Sequence, residues 1–117
     1  MGIRFNQLAA DAKTRVREVS AAEANKEQAK GAVLIDVREA DEFENGHVKG
    51  SIHLSKGVVE LGIEEAVPNV STPIICYCGG GSRSALVADN LQKMGYTNVA
   101  SMAGGFRAWK NEGLPTS

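Results

Sequence analysis

Cys78-Gly79-Gly80-Gly81-Ser82-Arg83-Ser84 follows the apolar run Pro73-Ile74-Ile75-Cys76-Tyr77 and leads into Ala85-Leu86-Val87-Ala88-Asp89-Asn90-Leu91. The succession reads as strand, glycine-rich loop and helix. Three consecutive glycines let the backbone turn tightly and leave no Cβ in the path of a ligand. Successive amide N–H groups in such a turn converge on an anion, and the helix that follows adds the positive end of its dipole. A cysteine on the rim of that concavity sits where a thiolate is favoured over a thiol. The stretch is an anion cradle with a sulfur nucleophile built in, and the remaining chain reads as its scaffold.

Toward the C-terminus, the helix places Ala85, Ala88, Leu91 and Met94 on one side and ends at Gly95. Asn98 to Met102 is a last strand. Gly104 to Asn111 is a last helix, with Phe106 and Trp109 one turn apart, closed by Gly113 and Pro115. Toward the N-terminus, Val58, Leu61, Ile63 and Val67 suggest a helix ended by Pro68. Ser51 to Leu54 is a short strand, and Glu39 to Asn45 a short helix stopped at Gly46. Ala32-Val33-Leu34-Ile35-Asp36-Val37 is continuous enough for a strand buried on both faces. Ser20-Ala21-Ala22-Glu23 forms a capping box that starts a helix ending near Gly31. Val16 to Val19 reads as a first strand. Phe5, Leu8, Ala9, Ala12 and Val16 recur at helical spacing, which predicts an amphipathic helix over Phe5 to Thr14 that covers one edge or face. Strands alternate with helices throughout, the pattern of an α/β domain with a mainly parallel sheet and helices on both faces. Ligands bind such sheets at the C-terminal ends of the strands, where the Cys78 loop falls. There is no internal repeat, low-complexity segment or linker. The division is an N-terminal helical extension, 1–15, and one domain, 16–117.

The totals narrow the function classes. The chain has 117 residues, 43% hydrophobic and 23% charged, with a net charge of −1. That size suits one domain, and that charge gives no general attraction to nucleic acid or to an anionic membrane. No apolar run approaches the ~20 residues of a membrane span, and the N-terminus lacks the apolar core of a secretory signal. Cys76 and Cys78 are too close for a disulfide framework. Two residues apart on a strand, their Cα atoms are about 6.6 Å apart, near the limit for a disulfide. Free thiols suit a reducing compartment, so a cytoplasmic location is expected. Two cysteines and two histidines offer no zinc-ligand spacing, and no metal or other cofactor is expected.

Five pieces of the chain, taken in order, carry a resemblance: Asp36-Val37-Arg38-Glu39, Glu42-Phe43, Gly46-His47-Val48-Lys49-Gly50-Ser51-Ile52, the Cys78-to-Arg83 loop, and Gly104-Gly105-Phe106-Arg107-Ala108-Trp109. Each is weak alone. In this order and spacing the chain resembles a single-domain rhodanese, from about Val16 to Leu114. Lys49 stands where many members have proline, and Ser51 where they have alanine; both lie away from the nucleophile. The resemblance implies a rhodanese-like fold, a five-stranded mainly parallel sheet with helices on both faces. It also implies a sulfurtransferase. Cys78 would take a sulfane sulfur from a small anionic donor such as thiosulfate or mercaptopyruvate, become a persulfide, and pass the outer sulfur to cyanide, a small thiol or a protein thiol. This is covalent catalysis with ping-pong kinetics.

In that reading the loop residues Gly79, Gly80, Gly81, Ser82, Arg83 and Ser84 bind the substrate, their amides holding the anionic sulfur or the leaving group. Arg83, the loop's one charged residue, either steers the donor and fixes the loop or pairs with a nearby carboxylate. Ser82 and Ser84 offer hydroxyls to the anion, although capping the following helix is the expected use of one of them. Cys76, inside the strand, is expected to pack. Asp36, at the end of a buried strand, needs a hydrogen-bonding or basic partner. Arg38 and Glu42, four apart, are expected to pair on the short helix. His47 reads as a turn or packing residue, His53 has no evident catalytic partner, and Phe106 and Trp109 read as core.

Three alternatives remain at this level. Cysteine phosphatases and arsenate reductases use a Cys-x5-Arg anion loop, and one phosphatase group shares the rhodanese fold. Here Cys78 to Arg83 is Cys-x4-Arg, a tighter cradle suited to sulfur. A non-enzymatic binding module would not need an intact Cys78 loop. A persulfide carrier would use the same Cys78 chemistry with a dedicated protein donor.

Overall fold

The computed structural model describes residues 2–117. Five parallel strands form one sheet in the order β1-β5-β4-β2-β3. They are β1 (Arg17–Val19), β2 (Val33–Asp36), β3 (Ile52–His53), β4 (Ile74–Tyr77) and β5 (Val99–Met102). Between them run α1 (Ile3–Lys13), before the sheet, then α2 (Ala21–Ala29), α3 (Ala40–Glu44), α4 (Val59–Ala66), α5 (Ser82–Lys93) and α6 (Gly105–Asn111). The α/β fold read from the sequence is the fold observed.

Side-chain alternation along each strand divides the core in two. On β4, Ile74 and Cys76 face one cluster, with Ile35, Val59, Ile63, Val87 and Leu91. Ile75 and Tyr77 face the other, with Leu34, Met102, Phe106 and Trp109. Thus α4 and α5 cover one face, and α2 and α6 cover the other. Trp109 is wholly buried, and its indole N–H donates to Pro115 O at 2.9 Å. The C-terminal residues then run beside the segment before β3, where Thr116 bridges Val48 antiparallel. In α1, Ala9 and Ala12 are buried and the helix lies on α5. Arg15, just after it, bonds both carboxylate oxygens of Asp89 and Asp11 Oδ2. Among the described residues, no helix is long and apolar enough to cross a membrane.

Several apolar residues that marked the helices are exposed. Leu61, Val58 and Met94 are among them; Leu61 is 86% exposed, because α4 buries only Val59 and Ile63. Leu8 of α1 is also exposed, since the two alanines are what pack on α5. At Ser20 the box is half realised: its hydroxyl accepts from Glu23 N–H at 3.1 Å.

The topology locates the site. The connection after β2 goes outward to β3, while that after β4 goes the other way to β5. The crevice where the connections diverge, above the C-terminal ends of β2 and β4, is the expected ligand position in an open parallel sheet. The chain leaves β4 at Tyr77 directly into Cys78 and leaves β2 at Asp36 directly into Val37-Arg38-Glu39.

Candidate active site

Cys78 is the first residue past β4 and lies at the base of a cleft of about 350 Å³. It is only 1% exposed. Burial alone would push its thiol up, but donors outweigh it. Gly81 N–H donates to Sγ at 3.1 Å and Ser84 N–H at 3.4 Å, and the Ser84 hydroxyl stands 3.5 Å away. These groups, with the Gly80 amide, hold the Cys78 thiol below its ordinary value despite its burial. Gly81 carries φ +108 at the N-cap of α5. A side chain there is strained, so glycine is what aims the N–H back at the sulfur.

Ser84 is wholly buried and does not cap α5; Gly81 occupies the cap position without a side-chain bond. The capping role expected of Ser82 or Ser84 is therefore not the one used. Instead Ser84 Oγ lies 2.8 Å from Ser101 Oγ on β5. With the sulfur as thiolate, Ser101 donates to Ser84 and Ser84 donates to Sγ. Both hydroxyls are buried and satisfied by this chain.

Arg83 resolves toward the carboxylate partner. Its Nη1 lies 2.9 Å from Glu42 Oε1 and its Nη2 lies 3.2 Å from Oε2, a two-pronged pair. Glu42 Oε1 also accepts Glu39 N–H at 3.1 Å. The Arg83 guanidinium, helped by that amide, holds the Glu42 carboxyl down at about 2. The expected Arg38–Glu42 pair does not form. Arg38 precedes α3, so the helical spacing rule does not reach it, and its guanidinium folds back on Asp36 at 2.7 Å. Asp36 also accepts Arg38 N–H at 2.9 Å, and Arg38 donates to Gly46 O at 2.7 Å and lies 4.5 Å over the Phe106 ring. This buried pair ties the end of β2 to the turn after α3 and to α6, and so sets where Glu42 stands. His53 donates through Nε2 to Arg38 O at 2.7 Å, and His47 stacks on Phe43 at 3.7 Å. His47 reads as a turn or packing residue, and neither histidine lines the cleft.

The last helix closes the cleft. Phe106 N–H donates to Cys78 O at 2.8 Å and Arg107 N–H to Gly79 O at 3.3 Å. A Cβ on Gly105 would fall on Cys78 O and lie 2.7 Å from Gly79 C and O, so only glycine permits this approach. The cleft brings together Cys78, Gly79, Gly80, Ser82 and Arg83, as the sequence reading grouped them. It adds Glu42 and Arg107, which that reading did not place there. Gly81 and Ser84 sit beneath it, against the sulfur rather than the opening. Ser101 and Gly105 were also missed; the adjacent Gly104-Gly105 pair was the available signal, since paired glycines mark a close backbone approach. Cys76, wholly buried and receiving no hydrogen bond at its sulfur among the described residues, has its thiol pushed up to about 12, first by burial and then by Cys78 nearby. Both cysteines are free.

The Rhodanese-like domain family model matches residues 20–112. A thiosulfate sulfurtransferase GlpE of Haemophilus influenzae is 37% identical over 99 residues, 85% of this chain and 92% of that protein. Among solved structures, the polysulfide-sulfur transferase homodimer of Wolinella succinogenes superposes with a TM-score of 0.85 at 28% identity, over 97% of this chain and 87% of that one. A Rhodopseudomonas palustris protein of unknown function, described as a possible tyrosine phosphatase, superposes at 0.84 with 31% identity, over 97% of this chain and 93% of that one.

Proposed function

The chain belongs to the rhodanese-like domain family, and from that premise we propose that it is a sulfurtransferase working through a persulfide on Cys78. One observation carries the reading: a buried sulfur at the base of an open cleft, with amide and hydroxyl donors gathered on it. Such a sulfur is drawn toward the thiolate by its donors and needs no separate base. Against thiosulfate, Cys78 Sγ attacks the outer sulfur. The S–S bond of the donor breaks, its electron pair leaves with sulfite, and Cys78 keeps the transferred sulfur as Cys–S–S⁻. A thiophilic acceptor, whether cyanide, a small thiol or a protein thiol, then takes the outer sulfur and returns the thiolate. The donors beneath Sγ stabilise the negative charge as thiolate leaves and returns.

The structural likeness to the Rhodopseudomonas protein keeps a phosphatase reading in view. A cysteine phosphatase needs a carboxylic acid to protonate its leaving group. The one carboxyl lining this cleft is Glu42, held at about 2 and engaged by Arg83. It is ionised at neutral pH and has no proton to give, which favours sulfur transfer.

The test is mass spectrometry after exposure to thiosulfate, with cyanide as acceptor in a rate assay. One added sulfur on Cys78 is expected, and Cys78→Ser is expected to lose turnover by at least about 1,000-fold while staying folded. Equal transfer rates in wild type and Cys78→Ser would overturn the mechanism. Phosphate-ester turnover without sulfur transfer would install the phosphatase instead.

A further inference from the structure

The charge at the mouth of the cleft is unevenly committed. Of its two guanidiniums, Arg83 is bound on both prongs by Glu42. Arg107 has no carboxylate partner at ion-pair distance among the described residues. Its backbone is fixed, because its own N–H and that of Phe106 bond the loop carbonyls of Gly79 and Cys78. Its side chain reaches back over the loop: a Cβ built on Gly80 would lie 3.6 Å from Arg107 Nη1, and one on Gly79 would lie 3.4 Å from Arg83 Nη2. The two glycines are the floor beneath the two guanidiniums. The loop itself is uncharged at 79–81, so the uncompensated positive charge lining the cleft comes from α6.

We infer that Arg107 is the donor-specificity residue of this site, binding the oxyanion end of a dianionic sulfur donor while Cys78 attacks the sulfur at its other end. The inference rests on the sulfurtransferase reading above and deepens it by assigning the donor's charge. In the transfer from thiosulfate, the sulfonate oxygens carry the charge that becomes sulfite, and sulfite departs past Arg107 toward solvent. Glu42 sharpens the selection. By neutralising Arg83 it leaves one net positive charge at the mouth, contributed by Arg107 alone. A guanidinium can offer two parallel N–H groups to such an oxyanion, which an ammonium cannot.

The experiment compares wild type, Arg107→Gln and Arg107→Lys with thiosulfate and with an aromatic thiosulfonate, a monoanion, as donors, cyanide being the acceptor. Arg107→Gln is expected to raise KM for thiosulfate about tenfold or more, the effect of losing a charged hydrogen bond, with kcat changed less than about twofold. KM for the monoanionic donor should move less. Arg107→Lys should recover part of the loss, and the dependence of thiosulfate kcat/KM on ionic strength should flatten in the glutamine variant. Sulfite, as product inhibitor, should bind more weakly to Arg107→Gln. A thiosulfate KM equal to wild type in Arg107→Gln, with Cys78 still gaining its sulfur, would overturn the role of Arg107 and leave the sulfurtransferase reading intact. Absence of added sulfur on Cys78 in the wild type would overturn the reading beneath it. A parallel fall in kcat for both donors, not relieved by Arg107→Lys, would mean that Arg107 only supports the loop, and would also overturn the assignment.

Discussion

Cys76 and Cys78 are two residues apart, face the same core cluster and are both buried, yet their thiols move in opposite directions. Burial is the largest influence on each and acts against the thiolate in each. The difference lies in what meets the sulfur. Cys76 is inside β4, where the backbone N–H groups are committed to the sheet, and it packs in the apolar cluster with no hydrogen bond reaching its sulfur among the described residues. Cys78 is one step past the strand end, where the backbone is free to turn its amides inward. The lowered thiol here comes from leaving the sheet, not from exposure.

The comparison can be broken by labelling. At neutral pH, iodoacetamide should alkylate Cys78 more than about 100-fold faster than Cys76 in the folded protein, with the two rates converging in denaturant. Peptide mapping reads this directly, and equal rates in the folded state would remove the distinction. A second way is to push α6 off the loop. Gly105→Ala should cost about 3 kcal/mol of stability by denaturant melts, since its Cβ meets loop backbone at a φ of +56. The surviving folded fraction should show a Cys78 thiol closer to its ordinary value.

Removing one donor sharpens the contrast without abolishing it. A thiol held below its ordinary 9.0 gives a rate that rises as pH climbs through the folded value. The stability it contributes is present in full above the unfolded value and fades as pH falls through the folded one. Ser84→Ala should move the rate inflection up by about one pH unit, costing about tenfold below it and little well above it. Ser101→Ala, acting only through Ser84, should move it in the same direction by less. A pH profile unmoved in both would mean that the hydroxyl chain is packing alone. The smallest effect belongs to the other cysteine. Cys76→Ala should cost about 1–2 kcal/mol of stability and leave the transfer rate per folded molecule unchanged.

What was legible in the sequence follows the same boundary. β4 was read residue for residue, and most other elements fell within a few residues of their ends, because apolar period, glycine stops and Pro68 are local signals. The glycine loop announced its chemistry because its residues are contiguous. The partners of its side chains are not. Arg83 meets Glu42 and Ser84 meets Ser101 only after the chain has crossed the sheet. Arg38 shows the cost of applying a helical rule two residues too early, since α3 begins at Ala40 and Arg38 lies in the turn before it. Leu61 shows that an apolar residue at a plausible spacing needs a neighbour to bury it, and α4 presents only part of its surface to the core.

The clamp between α6 and the Cys78 loop has a consequence for the order in which the protein is made. A ribosome delivers the loop before it delivers Ser101, Gly105 and the amides of Phe106 and Arg107 that bond it. The strand carrying Ser101 also inserts between β1 and β4, joining the earliest strand to a late one. Until that insertion, the growing chain carries Cys78 without its second hydroxyl and without the backbone bonds that fix the loop. The loop that carries Cys78 is thus fixed last, by residues that leave the ribosome after it.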